Sequence, residues 1–457
     1  MEHLLIRAGR LRILVADPEA SVHGKPVGFG NLVRHTQEAF EAAHGLDARL
    51  CLLRSGRPLN AAVTSLASPD VDTVPGSGWQ HAVLAVIWRA ARPARAGGWK
   101  AWAGALVAGA VRRRARQVIE ARARLGARGA GLVKRADRTD KWARALAQRS
   151  IKTADDLWRA RFREAGQQSR VRLRAQKLDG VRVVLPEDLF ARARAQAETA
   201  GIRLDAPMVT LHVREHGYGR YDEAHSRPID AWRNAPIATY EDAVRGLAAA
   251  GYTVVRVGDA SMTRVDWDGM VDLATAAWRT DLLELWCVLR SRFFIASDSG
   301  PYFLTRLANL PCLAVNVLQV GYYIARDRDR FICKPARHRA SGRTLSVEEM
   351  LSDEYLTHGL EPGRYEQVEN SAADIAEAVA DMAALVEQGE PRSPAQTAYD
   401  RRVAELAVHW KKSSGHAALV VRRNALGTIS RRFAGRHYFA AAEPAAAADA
   451  YGHHTTH

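Results

Sequence analysis

A chain of 457 residues has room for two or three domains and a sizeable core, and 47% hydrophobic with 25% charged residues is an ordinary globular composition. The net charge of +16, carried mostly by arginine, is not ordinary; it suits nucleic acid, anionic lipid headgroups or phosphorylated substrates. The four cysteines, Cys51, Cys287, Cys312 and Cys333, stand singly without CxxC spacing, which argues against a metal or disulfide framework and for reduced core residues.

The N-terminal run MEHLLIRAGRLRILVAD has no signal-type apolar core and reads as a strand, and no stretch has the uninterrupted apolar length of a membrane span. A cytoplasmic protein is the expectation. Leu11–Ala16 reads as a buried strand ending at Asp17. A loop with His23, Lys25, Gly28 and Gly30 follows, and Asn31 is placed to cap a helix over Leu32–Ala43. Leu50–Leu53 is a second strand and Val71–Val74 a candidate third. Strands alternating with helices predict a parallel α/β layer. The G-F-G-N loop lacks the third glycine of a dinucleotide fingerprint, so it is read as a binding-cleft loop in which His23, Lys25 and Asn31 are candidate acceptor contacts.

From Gln80 to about Ser150 the character changes. Trp99, Trp102, Leu106 and Val107 precede the cluster Arg112, Arg113, Arg114, Arg116, Arg122 and Arg124. Such a stretch suits a helix lying in a membrane interface. A pair of helices with a solvated basic face fits it equally well. Nucleic-acid binding is disfavoured, because no zinc-finger or RNP signature accompanies the arginines. The predicted organisation is an N-terminal unit over residues 1–202 with a basic helical insertion at about 80–178, a second unit over 203–388, and a helical tail over 389–457. In the tail Arg422, Arg423, Arg431, Arg432 and Arg436, with Phe433, Tyr438 and Phe439, make a basic-aromatic set suited to docking on the first unit or on a membrane.

The second unit is the informative one. Val209–Val213 reads as a strand, Tyr240–Ala250 as a helix, Thr253–Val257 as a strand and Val271–Leu273 as a short edge strand. Asp281 with Glu284 three residues on reads as a capping box for the next helix. Phe293–Ala296 and Cys312–Asn316 are further strands, separated by the turn Ser297-Asp298-Ser299-Gly300-Pro301. Their C-terminal ends bring His212, Arg214, Glu215, Gly258, Asp259, Ser297, Asp298, Ser299 and Gly300 to one rim of a parallel sheet, where open α/β folds bind ligands. Arg214 offers a planar fork to a diphosphate, and the amides of Ser299 and Gly300 open a helix. Each residue also has a plain structural reading: Arg214 as partner of a sheet-edge carboxylate, Asp259 as a turn cap, S-D-S-G as a tight turn.

The succession LHVREHGY, RNAPIATYEDAVRGLAAAGYTVVRVGD and DLLELWCVLRSRFFIASDSGPYFLTRLANLPCLAVN resembles the nucleotide-sugar-binding half of GT-B glycosyltransferases, closest to a bacterial family of surface-carbohydrate biosynthesis. His212-Val213-Arg214 looks like the H-x-R signature of fucosyltransferase-type enzymes, and Asp298-Ser299-Gly300 like the D-[ST]-G turn of heptosyltransferases. The match is good over about residues 205–320 and loose before them. Glu215 stands where fucosyltransferases carry a second arginine, and Phe303 and Leu304 lie where heptosyltransferases carry a histidine. The resemblance implies two Rossmann-like domains facing a cleft, with extra helices. It also implies a nucleotide-diphosphate sugar as donor, a carbohydrate or lipid-linked acceptor at the inner membrane face, and no metal or other cofactor. Arg214 and the Ser299 and Gly300 amides would hold the diphosphate. Glu215, His216, His23 and Asp17 are candidates for the base that deprotonates the acceptor, Glu215 first among them. Asp327-Arg328-Asp329 matches a metal-binding D-x-D on paper but reads as a solvated run. Other surface-polysaccharide transferases, pyruvyl or phosphoryl, and a basic binding module remain alternatives.

Overall fold

The computed structural model describes residues 2–8, 11–18, 29–53, 62–74, parts of 80–85, 181, 183–215, 231–318, 326–361, 363–409 and 427–438. These fall into two compact units that divide between Val184 and Leu185. His23, Lys25, His216 and most of the basic insertion lie outside the described residues.

In the first unit β1 (Glu2–Ala8) runs antiparallel to β2 (Leu11–Asp17), and β2 pairs in parallel with β3 (Arg49–Leu52). Two strands share the apolar run that reads as one in the sequence, so this sheet is mixed and not all parallel. Val71–Val74 continues it, with the Leu50 amide donating to Asp72 O at 2.8 Å and the Val74 amide to Leu50 O at 2.8 Å. The helix α1 spans Phe29–Gly45 and buries Leu32, Val33, Phe40 and Ala43. It begins two residues before Asn31, which therefore sits in the first turn and not at the cap.

The second unit is built on seven parallel strands: β4 (Met208–His212), β5 (Thr253–Arg256), β6 (Met270–Asp272), β7 (Ser291–Ala296), β8 (Cys312–Val317), β9 (Arg330–Cys333) and β12 (Thr428–Ile429), in the order β12-β9-β8-β7-β4-β5-β6. The central strands are buried along nearly their whole length, as parallel strands covered on both faces must be. Two helix pairs cover them, α2 (Glu187–Thr199) with α4 (Asp281–Arg290), and α3 (Glu241–Ala249) with α7 (Ala372–Gln388). The Phe190 and Trp286 rings meet at 6.2 Å, and Thr280 Oγ1 donates to Gln196 Oε1 at 2.9 Å. Helix α2 thus belongs to the second unit, and the boundary falls before it and not near residue 203.

Two shorter strands, β10 (Ala336–His338) and β11 (Tyr365–Gln367), form a hairpin-like pair flanking α6 (Asp353–His358). The tail is not an appendage. Helix α8 (Pro394–His409), β12 and helix α9 (Arg431–His437) complete the second unit, with Arg431, Arg432 and Arg436 paired to Glu390, Asp381 and Asp374. These three side chains face carboxylates of the same unit, while Arg422, Arg423 and Phe439 lie outside the described residues.

Candidate functional site at the strand ends

From β4 the chain steps outward through β5 to β6, then returns across the sheet so that β7 lies on the other side of β4. This reversal opens a crevice at the carboxyl ends of β4 and β7, the place where doubly wound sheets bind ligands. The two strand ends are fastened across it. The Ser297 amide donates to His212 O at 3.0 Å. The Arg214 amide donates to Ser297 Oγ at 2.7 Å, and His212 Nε2 meets Ser299 Oγ at 3.0 Å. A third strand joins through His212 Nδ1, 3.0 Å from Val257 O at the end of β5. His212, Arg214, Ser297, Asp298, Ser299 and Gly300 therefore share one rim.

Two cationic side chains, Arg214 and Lys334, meet there at Asn234, and a third, the neighbouring Arg233, reaches Asp298. Arg214 Nε donates to Asn234 Oδ1 at 3.0 Å, and Arg233 Nε donates to Asp298 O at 2.9 Å with the Asp298 carboxylate 3.3 Å away. Lys334, the residue after β9, donates from Nζ to Asn234 O at 2.9 Å and to Glu369 Oε1 at 2.7 Å. Its side chain is 1% exposed, and burial lowers its pKa more than the Glu369 carboxylate raises it. Neither Arg233 nor Lys334 stands out in the sequence. The only signal for Lys334 is its place directly after the apolar run Phe331-Ile332-Cys333.

The turn after β7 differs from a long helix N-terminus. Gly300–Tyr302 is a 3₁₀ turn with Pro301 near its start, and the α-helix that follows, α5 (Phe303–Leu307), has five residues. So short a helix contributes little macrodipole, and anion binding here falls to the cationic side chains and to individual amides. The Ser299 and Gly300 amides meet no acceptor among the described residues.

Glu215 is engaged elsewhere. Its Oε2 accepts from Arg256 Nη2 and from the Thr263 amide at 3.2 Å, and Arg256 is completed by Asp272 at 3.2 Å and Thr263 O at 2.6 Å. With the Arg256 side chain wholly buried, this carboxylate, the first candidate for the base, balances a buried guanidinium. Asp259 caps its turn, accepting from the Ser261 amide at 2.9 Å. Gly258 donates its amide to Glu284 Oε1 at 3.0 Å, and its carbonyl accepts from Arg279. Glu284 is thereby drawn off the helix end. The N-cap of α4 is Thr280, whose hydroxyl accepts from the Leu283 amide at 3.1 Å, in place of the expected Asp281–Glu284 box. Burial raises the Glu284 pKa to about 7, against the opposing pull of Arg279 and the Gly258 amide.

Two of the other expected contacts belong to the first unit. Asp17 is buried at the end of β2 in the first unit, and Asn31 lies in α1. Asp329 is not solvated: it is fully buried and accepts from the Cys312 amide at 3.0 Å and the Arg326 amide at 2.8 Å, while Asp327 is exposed and paired with Arg392. Among the described residues no group of three acidic, histidine or cysteine side chains is placed to hold a metal, and no helix is long and apolar enough to cross a membrane.

No family model matches the chain, and no curated protein does. Among solved structures it is similar to a glycosyl transferase family 9 protein from Veillonella parvula DSM 2008, at 10% identity and a TM-score of 0.33, over 70% of this chain and 84% of that one. It is also similar to the dodecameric iron-containing heptosyltransferase TibC, solved with ADP-D-beta-D-heptose, at 17% identity and a TM-score of 0.16, over 25% of this chain and 28% of that one. Both likenesses are faint, and neither assigns an activity to this chain.

Proposed function

We propose that the rim between β4 and β7 holds the diphosphate of a nucleotide-diphosphate sugar, and that the protein is a glycosyltransferase delivering that sugar to a surface-polysaccharide or lipid-linked acceptor. The observation that carries this reading is the convergence of Arg214, Arg233 and Lys334 at the reversal point of a parallel sheet, beside two main-chain amides that meet no acceptor among the described residues. A leaving diphosphate gains negative charge as the glycosidic bond breaks. Preorganised guanidinium and ammonium groups stabilise that charge in the transition state without a bound cation. Arg214 supplies the bidentate fork and Lys334 a point charge. His212 and Ser297 hold the strand ends that aim them. With Glu215 held by Arg256, His216 is the remaining candidate base on the same segment.

The test is titration with UDP-, GDP-, ADP- and CMP-linked sugars, followed by Arg214→Ala. One donor series should bind, and the variant should lose roughly tenfold to a hundredfold in affinity, the size of a charge-assisted hydrogen bond or two, with its melting profile retained. Unchanged donor affinity in a folded Arg214→Ala protein would remove the reading.

A further inference from the structure

The hydrogen bonds of His212 fix more than its position. The Val257 carbonyl can only accept, so Nδ1, 3.0 Å from it, carries the ring proton. Nε2 is then the bare nitrogen, and Ser299, 3.0 Å away, must donate its single hydroxyl proton to it. The ring is 3% exposed, and burial lowers its pKa to about 4, with Arg256 and Arg214 acting in the same direction and Asp259 against it. Behind Nδ1 stands a carbonyl where a nucleophile-activating triad places a carboxylate. Ser299 itself has φ −145° and ψ 166°, relaxed extended backbone and not the strained elbow of a hydrolase nucleophile. The pair is therefore built to orient a proton and not to remove one.

We infer that His212 makes Ser299 an obligate hydrogen-bond acceptor at the rim, and that the Ser299 oxygen receives a hydroxyl of the bound nucleotide sugar, from the ribose or from the transferred sugar, and not a phosphate oxygen. The inference rests on the reading of this rim as a nucleotide-sugar site and divides its work. An ionised phosphate oxygen has no proton to offer Ser299 Oγ and meets only its lone pairs, so phosphate is left to Arg214, Arg233, Lys334 and the amides. A hydroxyl finds a matching acceptor, held in one orientation by a neutral ring. His212 is a positioning residue here, and its effect is on which ligand group Ser299 selects.

Three probes separate the possibilities: inorganic pyrophosphate, which has no hydroxyl, the nucleoside diphosphate of the series that binds, and its sugar ester. In Ser299→Ala, affinity for the hydroxyl-bearing ligand should fall about tenfold relative to pyrophosphate, the size of one neutral hydrogen bond. A loss already present with the nucleoside diphosphate assigns the ribose; a loss confined to the ester assigns the sugar. His212→Phe keeps a ring but removes the acceptor, so the Ser299 proton is released toward the ligand and pyrophosphate should bind several-fold tighter. His212→Gln, with an oxygen near the Nε2 position, should restore the original preference. A merely structural histidine would weaken all three probes together in both variants. Nitrogen chemical shifts of the ring should show a protonated Nδ1 and a bare Nε2. Equal loss of pyrophosphate and ester in Ser299→Ala, weaker pyrophosphate binding in His212→Phe, or a protonated Nε2 overturns the acceptor assignment while leaving the site. Failure of the wild-type protein to bind any of the three overturns the site itself and the assignment with it.

Discussion

Glu215, three residues past the end of β4, and Arg256, the last residue of β5, close on each other with the guanidinium wholly buried and the carboxylate 9% exposed. Removing Glu215 strips this buried guanidinium of one of its two carboxylates, a loss of up to about 3–5 kcal/mol. Glu215→Ala should unfold at markedly lower urea than the wild-type protein. Glu215→Gln, which keeps an oxygen for Arg256 and the Thr263 amide, should lose less. Turnover per folded molecule should survive in the glutamine variant, since Asp272 still balances Arg256. A glutamine variant of full stability and no turnover would instead make Glu215 the base.

Arg233 lies 3.3 Å from the Asp298 carboxylate on the loop that carries Ser299. If the diphosphate binds at this rim as proposed, removing the guanidinium takes away one cation and also exposes the anion to the Asp298 carboxylate. Arg233→Ala should therefore weaken nucleoside diphosphate binding by about tenfold or more, beyond the worth of one charge-assisted hydrogen bond. Arg233→Ala/Asp298→Asn should recover part of that loss, because the repelling charge is gone. Calorimetric titration of the single and double variants reads the coupling directly. Equal affinities for the two would place the anion away from Asp298.

Stability should depend on pH through two groups of opposite sign. Glu284 has its pKa raised to about 7 from an ordinary value of 4.5. Its folded form binds the proton more tightly, so that contribution is complete below pH 4.5 and is lost as pH rises through 7, about 3 kcal/mol at 1.4 kcal/mol per unit. His212 has its pKa lowered to about 4 from 6.5. Its contribution is complete above pH 6.5 and is lost as pH falls toward 4. Glu284→Gln should flatten the decline between pH 4.5 and 7 seen in urea denaturation, and His212→Phe should flatten the decline on the acid side. A Glu284→Gln curve parallel to the wild-type one would show that the carboxylate stays ionised.

How much of this was legible follows from where each signal resides. The strands β4, β5, β7 and β8 announce themselves as apolar runs because both faces of each are covered. The parallel order of their ends then delivers His212, Arg214 and Ser297–Gly300 to one rim, which strand-end reasoning recovers from sequence alone. The strands β9 and β12 do not announce themselves. One has four residues after an arginine-rich stretch and the other two residues inside a basic tail, so their pairing comes from tertiary contact and not from pattern. Lys334 and Arg233 share that invisibility, being set by where loops return. Glu215 was legible as a rim carboxylate and Glu284 as a capping-box residue, but not in the roles they hold, because nothing local shows that Arg256 and Gly258 will claim them.

The C-terminal segment tests whether the basic tail is a membrane arm or part of the sheet. Gly427 leads into β12, which pairs in parallel with β9, and the Ser430 amide donates to Phe331 O at 2.9 Å. Asp381 of α7 accepts from Ser430 Oγ at 3.0 Å and from the Arg432 amide at 2.8 Å, while Gln396 of α8 donates to Ile429 O at 2.8 Å. Ile429, Phe433 and Tyr438 are all buried. Burying three such side chains stabilises by roughly 1.5–3 kcal/mol each, so ending the chain before Gly427 should remove about 5 kcal/mol or more. It would also bare the edge of β9, a template for intermolecular pairing. The truncated protein should melt about 10 °C lower or more and aggregate at concentrations where the full chain stays dispersed. Asp381→Ala should reproduce part of the effect, about 1–3 kcal/mol, by stranding the Arg432 amide and the Ser430 hydroxyl. A truncated chain with unchanged melting but lost binding to anionic vesicles would reverse the assignment and make the tail an arm.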